Sequence, residues 1–299
     1  VRVLVSGAGG LIGAALAERL RARGDEVGRL VRGTPSGPDR LRWDPRGGGA
    51  DPGALAEWDA VVHLAGRNLA TLWTPGARRA IRESRVTATR GLARAMARAR
   101  GASAGPRTLL CASAVGWYGS RGGETLTEDS APGTGFLADL CRDWEAACDP
   151  AREAGVRTVH LRTGIVLARG GGPLSKMLLP FRLGLGGRLG DGRQWMSWIA
   201  LEDAVEAMVL ALQESAIAGP INLTSPEPVT NADFTRALGR VLGRPAPFPV
   251  PALALRLLPG GFARETLLAS QRAVPARLAA RGFAFRFPRV ADALRHAAG

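Results

Sequence analysis

Apolar residues along this chain follow two alternating rhythms. Short apolar segments of strand length occur at 1–5, 26–31, 41–43, 60–64, 107–112 and 156–161. Between them apolar residues recur every three or four positions: Ile12, Leu16 and Leu20; Leu92 and Met96 within a basic stretch at 74–100; Phe136, Leu140 and Trp144 in a stretch running to about Cys148. The first rhythm suits strands buried on both faces, the second helices with one inward face. The alternation through residue 167 predicts a parallel sheet with crossover helices.

After residue 167 the pattern changes. Glycine-rich stretches at 170–172 and 184–192 flank Leu178-Leu179-Pro180-Phe181, which predicts loops and short elements. A helix is expected over 203–212 and a strand over 221–223. Thr230, three residues before Asp233, is placed to cap a helix reaching Leu242. The alternation of Phe283, Phe285 and Phe287 predicts a short strand before the last helix.

The first strand runs directly into Ser6-Gly7-Ala8-Gly9-Gly10-Leu11-Ile12-Gly13. Glycines between a strand and a helix allow a tight turn and close backbone approach to a phosphate, which then faces the unpaired N–H groups at the helix start. The Gly7-x-x-Gly10-x-x-Gly13 spacing in this context predicts dinucleotide binding. The strand over 26–31 ends at Arg32, where an acidic residue would favour NAD through the ribose 2′-hydroxyl. A guanidinium there can pair with a 2′-phosphate, so the expected cofactor is NADP. The strand over 60–64 closes on Ala65-Gly66-Arg67-Asn68, and small residues at that end leave room for the ribose and nicotinamide.

Composition narrows the reading. The 299 residues are 46% hydrophobic without an unbroken apolar run long enough to span a bilayer, so a membrane role is not expected. Because the first strand starts at residue 1, no signal or transit peptide is expected and the expected compartment is the cytosol. The formal charge of +14 invites a nucleic-acid partner. Yet Lys176 is the only lysine in a chain crowded with Ala, Gly, Pro and Arg, the pattern of GC-rich codon usage. No RNA-binding aromatic signature or zinc-finger spacing accompanies the charge, and no nucleic-acid partner is expected. Cys111, Cys141 and Cys148 have neither disulfide nor metal spacing, and the three histidines are scattered singly, so no metal is expected. His63 reads as a packed strand residue.

Several segments together resemble the extended short-chain dehydrogenase/reductases: the glycine turn, Val62-His63-Leu64-Ala65-Gly66, Ser113 to Gly119, Trp144-Glu145, and Arg162-Thr163-Gly164-Ile165-Val166-Leu167. Leu179-Pro180-Phe181-x-Leu183-Gly184-Leu185-Gly186-Gly187, Trp198-Ile199 and Ser270-Gln271-Arg272-x-Val274-Pro275 narrow the resemblance to the NADP-binding, nucleoside-diphosphate-sugar epimerase-like branch. It implies an α/β fold: a Rossmann-type doubly wound parallel sheet over 1–167, to which 196–220 returns, with a small C-terminal α/β substrate lobe from 168–195 and 221–299. It also implies cofactor contacts from Gly7, Gly9, Gly10, Leu11, Ile12, Gly13, Arg32, Leu64, Ala65, Arg85 and Val166. Oligomeric state is open, with a homodimer as one expectation.

The wider family uses a Tyr-x-x-x-Lys pair for proton transfer. Tyr118 and Lys176 are the sole residues of their types here, so that pair cannot exist. The corresponding positions fall near Phe136-Leu137 and Leu140-Cys141. Ser113 stands where the family serine stands, and Tyr118 is the remaining phenol, so these two are the candidate catalytic residues. Glu124, Glu128 and Asp129 follow as possible carboxylates, with surface acidity as the plainer reading. Trp117, Gln194, Trp195 and Trp198 are candidate substrate-lining residues. Two functions stay open: an NADP-dependent oxidoreductase or epimerase acting on a small polar molecule such as a sugar nucleotide, or an NADP(H)-binding sensor or interaction protein that has lost its chemistry.

Overall fold

A computed structural model describes the chain except residues 38, 47, 102, 103, 258 and 299. The strands are β1 (Arg2–Ser6), β2 (Glu26–Val31), β3 (Arg40–Asp44), β4 (Gly49–Ala50), β5 (Ala60–His63), β6 (Thr108–Ala114), β7 (Thr125–Leu126), β8 (Arg157–Thr163), β9 (Ile165–Leu167), β10 (Trp195–Met196), β11 (Trp198–Ala200), β12 (Gly219–Leu223), β13 (Val229–Thr230) and β14 (Arg272–Ala273). The main sheet has the order β12-β8-β6-β5-β1-β2-β3-β4, parallel except for the β3–β4 edge. Its strand order reverses direction between β1 and β5, which opens a crevice at their carboxyl ends.

Helices cover both faces. They are α1 (Leu11–Ala22), α2 (Pro52–Leu55), α3 (Pro75–Arg82), α4 (Ala88–Gly101), α5 (Phe136–Ala146), α6 (Asp149–Glu153), α7 (Gly172–Arg182), α8 (Leu201–Gln213), α9 (Asn231–Val241), α10 (Ala252–Arg256), α11 (Phe262–Thr266), α12 (Ala276–Ala279) and α13 (Val290–Ala298). Leu16, Leu20, Val205 and Met208 from α1 and α8 pack with Val3, Val5 and Val62 on one face. On the other, Leu92, Met96, Leu140 and Trp144 pack with Leu4, Val61 and Leu109. The continuous apolar runs of β1 and β5 follow from burial on both sides.

A third core belongs to the lobe, where Leu174, Phe181, Trp198, Phe234 and Leu294 come together. The segment expected to hold loops and short elements contains an eleven-residue helix, α7, that tolerates Pro180 within its last turn. Strand β12 pairs with β8 in the main sheet, so the return to the Rossmann domain extends to Leu223 and the lobe resumes after it. Thr230 caps α9 by accepting the Asp233 amide, as the spacing predicts. The strand expected at Phe283–Phe287 is absent. The amides of Arg286 and Phe287 donate to the buried Asp203 carboxylate instead of to a partner strand. Phe283 and Phe285 meet edge to face against the core beneath α8.

Candidate functional site

The glycine turn shapes the crevice. Gly7 is left-handed (φ +73°), and a Cβ there would come within 3.0 Å of the Ala65 nitrogen and the Leu64 carbonyl carbon. At Gly13, in the first turn of α1, a Cβ would lie 2.2 Å from the Gly7 carbonyl oxygen. The backbone of the turn thus lies against the end of β5, leaving the start of α1 open above it. Ser6 fastens this arrangement: its Oγ accepts the Leu64 and Ala65 amides at 3.1 and 3.2 Å and sits 2.6 Å from His63 Nδ1.

His63 is fully buried, and burial pushes its pKa down to about 4. It is therefore a neutral packing residue, as the strand reading expects. Because the folded pKa is lowered, the unfolded chain takes up the proton first as pH falls. His63 costs nothing above pH ~6.5, and lowers stability by up to ~3 kcal/mol as pH falls to ~4. Burial lowers His160 in the same direction. Urea unfolding of wild type and His63→Leu at pH 7.5 and 5 is expected to show a smaller loss on acidification in the variant.

Two connected cavities share Gly7, Gly10 and Leu64. The first, about 1200 Å³, is walled by Gly9, Trp43, Ala65 and Gly66 and by Arg29, Arg32, Arg40, Arg46 and Arg67. The second, about 570 Å³, passes from Leu11, Ile12 and Val166 to Ser113 and on to the lobe. Arg85 faces the second cavity from a π-helical turn, Glu83–Thr87, between α3 and α4. Its guanidinium lies beside Gly66 and over the Trp144 ring, 5.1 Å from the centroid. Burial lowers its pKa to about 10, so it keeps its charge at neutral pH. No carboxylate pairs with it among the described residues, which leaves it available to an anion.

Ser113, at the carboxyl end of β6, is buried and lines the second cavity. Its hydroxyl donates to Glu145 Oε1 at 2.7 Å. Glu145 is gripped from behind by Arg162, whose Nε and Nη2 donate to the two carboxylate oxygens at 2.9 and 3.0 Å. This buried pair was not assigned from sequence, although an arginine ending the apolar strand over 156–161 signals that a buried partner is required.

Tyr118 is not on the cavity wall. Its ring is fully buried with Val115, Leu126 and Ala273. Its hydroxyl donates to Asn222 Oδ1 at 2.7 Å and accepts from Arg162 Nη1 at 3.2 Å. Burial holds the phenol above its ordinary pKa. Held by Asn222 and Arg162 at the end of the turn Val115–Tyr118, the hydroxyl is not presented to the cavity, as the catalytic role expected of it would require.

The helix positions that lack the Tyr-x-x-x-Lys pair face the cavity as Leu137 and Cys141. Burial raises the Cys141 thiol to about 12, with the Glu145 charge adding to it, so Cys141 stays neutral. Glu128 is buried and accepts the Asn222 and Arg277 amides, a structural role.

Of the expected substrate residues, Trp195 lines the cavity. Trp117 stacks on Arg162, 3.9 Å from the centroid, and donates to the Ser130 carbonyl. Gln194 donates to the Leu189 and Leu267 carbonyls. Trp198 is fully buried and donates to the Glu227 carbonyl. Those three pack the junction and do not face the cavity. Glu265, Met177, Leu189 and Met196 also line it and were not singled out by sequence. Glu265 Oε2 accepts the Leu137 amide at 2.9 Å, so a residue of the lobe caps helix α5 of the sheet domain.

A doubly wound sheet with a glycine turn at its switch point defines the class of nucleotide-binding Rossmann proteins. The comparisons with known proteins carry this further. Residues 3–223 match the model of the NAD dependent epimerase/dehydratase family, and residues 250–297 match a domain of unknown function, DUF1731. The chain is 47% identical over 296 residues to epimerase family protein Mb2239 of Mycobacterium bovis, covering 99% of this chain and 97% of that one. It is 35% identical to the human epimerase family protein SDR39U1 (isoform 2) solved with NADPH, with a TM-score of 0.87 over 100% and 99% of the two chains. A Corynebacterium glutamicum protein described as a nucleoside-diphosphate sugar epimerase superposes with a TM-score of 0.83 at 39% identity, covering all of this chain and 58% of that one. The chain belongs to the NAD dependent epimerase/dehydratase family.

Proposed function

We propose that the protein binds NADP(H) across the two cavities and is an oxidoreductase for a small molecule seated beyond Ser113. The observation that carries this reading is the arginine wall. Arg32, Arg46 and Arg67 line the adenosine side, where β2 ends in Arg32 and not in a carboxylate. That environment suits a 2′-phosphate. The rest of the site fits the same cofactor: the cradle at Gly7 and Gly13 leaves backbone N–H groups facing a pyrophosphate, and buried Arg85 faces the nicotinamide half. NADPH in the human relative supports the assignment.

A nicotinamide bound there would supply or accept a hydride. The chain contributes position and exclusion of water. Ser113 presents its oxygen to the substrate while Glu145 holds the serine proton, and Arg162 holds Glu145. Leu137, Cys141 and the withdrawn Tyr118 leave no side-chain proton donor where the wider family has one, so water at Ser113 completes the proton transfer. The same features favour a second reading, an NADP(H)-binding protein without turnover. Hydride-based epimerisation needs the same proton transfer, so that activity remains the alternative at this site.

Calorimetric titration with NADPH and NADH tests the cofactor. NADPH is expected to bind more tightly, with Arg32→Glu weakening it by about tenfold to a hundredfold, the size of one or two lost charge-assisted contacts. Absence of binding by either nucleotide would overturn the proposal. Given binding, NADPH oxidation across a set of carbonyl compounds separates the enzyme from the sensor.

A further inference from the structure

We infer that the substrate half of the cavity takes an uncharged, apolar-bodied compound that offers a hydroxyl to Ser113, and not a sugar nucleotide. The inference rests on the NADP(H) reading, which places the cofactor in the other half. Beyond Ser113 the wall includes Leu137 and Leu140 of α5, Met177 of α7, Leu189 and Met196, while Trp144 lies under Arg85 on the cofactor side. A diphosphate seated among these side chains would need cations to replace its water. Arg85 is the guanidinium on the cavity wall among the described residues, and it lies beside Gly66 on the cofactor side. The charged group on the lobe side is a carboxylate, Glu265. Arg272, the nearby arginine of the lobe, does not line the cavity; it stacks on Trp195, 4.3 Å from the centroid.

The polar side chains of this half are committed to the chain itself. Ser197 donates to the Gln271 carbonyl and accepts the Ala273 amide. Asn231 accepts the Leu189 amide, Thr266 donates to the Phe262 carbonyl, and Thr163 donates to the Leu161 carbonyl. Gln271 is the exception, with no side-chain hydrogen bond among the described residues. At the inner end, Ser113 has given its single proton to Glu145, so toward the cavity its oxygen accepts. A hydroxyl matches that acceptor better than a carbonyl does. The apolar character continues outside the wall, where α7 carries Leu179 exposed two residues beyond Met177, with Leu183 and Leu185 exposed just past its end.

The test uses the full chain saturated with NADP+, the oxidation state that an alcohol pairs with, NADPH binding having first been established by calorimetry; failure at that first step would overturn the cofactor reading itself. Tryptophan emission, to which Trp195 on the wall contributes, then reports titration with menthol, cyclohexanol and UDP-glucose. Menthol or cyclohexanol is expected to bind, and UDP-glucose to leave the emission unchanged. In Met177→Glu, NADPH affinity is expected to stay at the wild-type value while alcohol binding weakens by about tenfold or more, because a second carboxylate enters an apolar wall. UDP-glucose binding more tightly than either alcohol, silence of both alcohols in the NADP+-loaded protein, or an unchanged alcohol affinity in Met177→Glu would each overturn the inference.

Discussion

Replacing Glu145 by alanine is expected to cost about 3–5 kcal/mol of stability, the usual loss when one member of a buried ion pair is removed. The size follows from what remains. Arg162 has a side chain only 3% exposed, and both of its donors to Glu145 would lose their acceptor at once. Its other contacts, the Glu128 carbonyl, the Tyr118 hydroxyl and the Trp117 ring, satisfy one edge of the guanidinium and its face, but supply no negative charge. A carboxylate is needed because a buried cation loses far more hydration than neutral acceptors return.

The double variant Glu145→Leu/Arg162→Met is expected to lose less than Glu145→Ala alone, since it removes the uncompensated charge along with its partner. Urea unfolding of wild type, Glu145→Ala, Glu145→Leu, Arg162→Met and the double variant measures this. Additive losses would mean that the two side chains do not act as a pair. Ser113 would also lose the acceptor of its proton in Glu145→Ala, so its hydroxyl would be free to rotate toward the cavity. NADPH binding, set by the glycine turn and the arginine wall, should change far less than stability does.

This pair also marks where sequence reading stops. The central strands β1, β5 and β6 were legible because each lies in a largely apolar run, and the crossover helices because they carry an apolar face, both local patterns. The glycine turn was legible because strand, glycines and helix are adjacent in the chain. The partners of Arg162 are not: Glu145 lies 17 residues away and Tyr118 lies 44 away. Nothing local says that Tyr118 turns toward Asn222, 104 residues further on, rather than toward Ser113 five positions before it. The phenylalanine alternation misled for the same reason. Period two describes side chains well, yet the backbone amides it implies were claimed by Asp203, a side chain more than 80 residues away. Trp198 and Gln194 read as pocket residues because aromatic and polar groups cluster there, and only the packed lobe shows which of them point inward.

Gly13→Ala is expected to reduce NADPH affinity at least about a hundredfold while leaving most helical structure in place. The added Cβ would sit 2.2 Å from the Gly7 carbonyl oxygen and 2.8 Å from its carbon, both backbone atoms that cannot rotate aside. Moving Gly7 is no remedy, because a Cβ-sized space beneath it is already closed by the Leu64 and Ala65 backbone, which Ser6 holds with two hydrogen bonds. The turn must therefore open or α1 must shift, and either displaces the N–H groups offered to the pyrophosphate. Gly9→Ala supplies the control: a Cβ there meets nothing within 4 Å, so the turn and its stability are expected to survive. Calorimetry with NADPH and circular dichroism on both variants check these outcomes, and undiminished binding by Gly13→Ala would remove the turn from the site. Intrinsic propensity runs the other way, since alanine favours the helix over glycine by about 1 kcal/mol. Any loss of stability in Gly13→Ala thus reports the close approach of α1 to the turn and cannot be charged to helix formation.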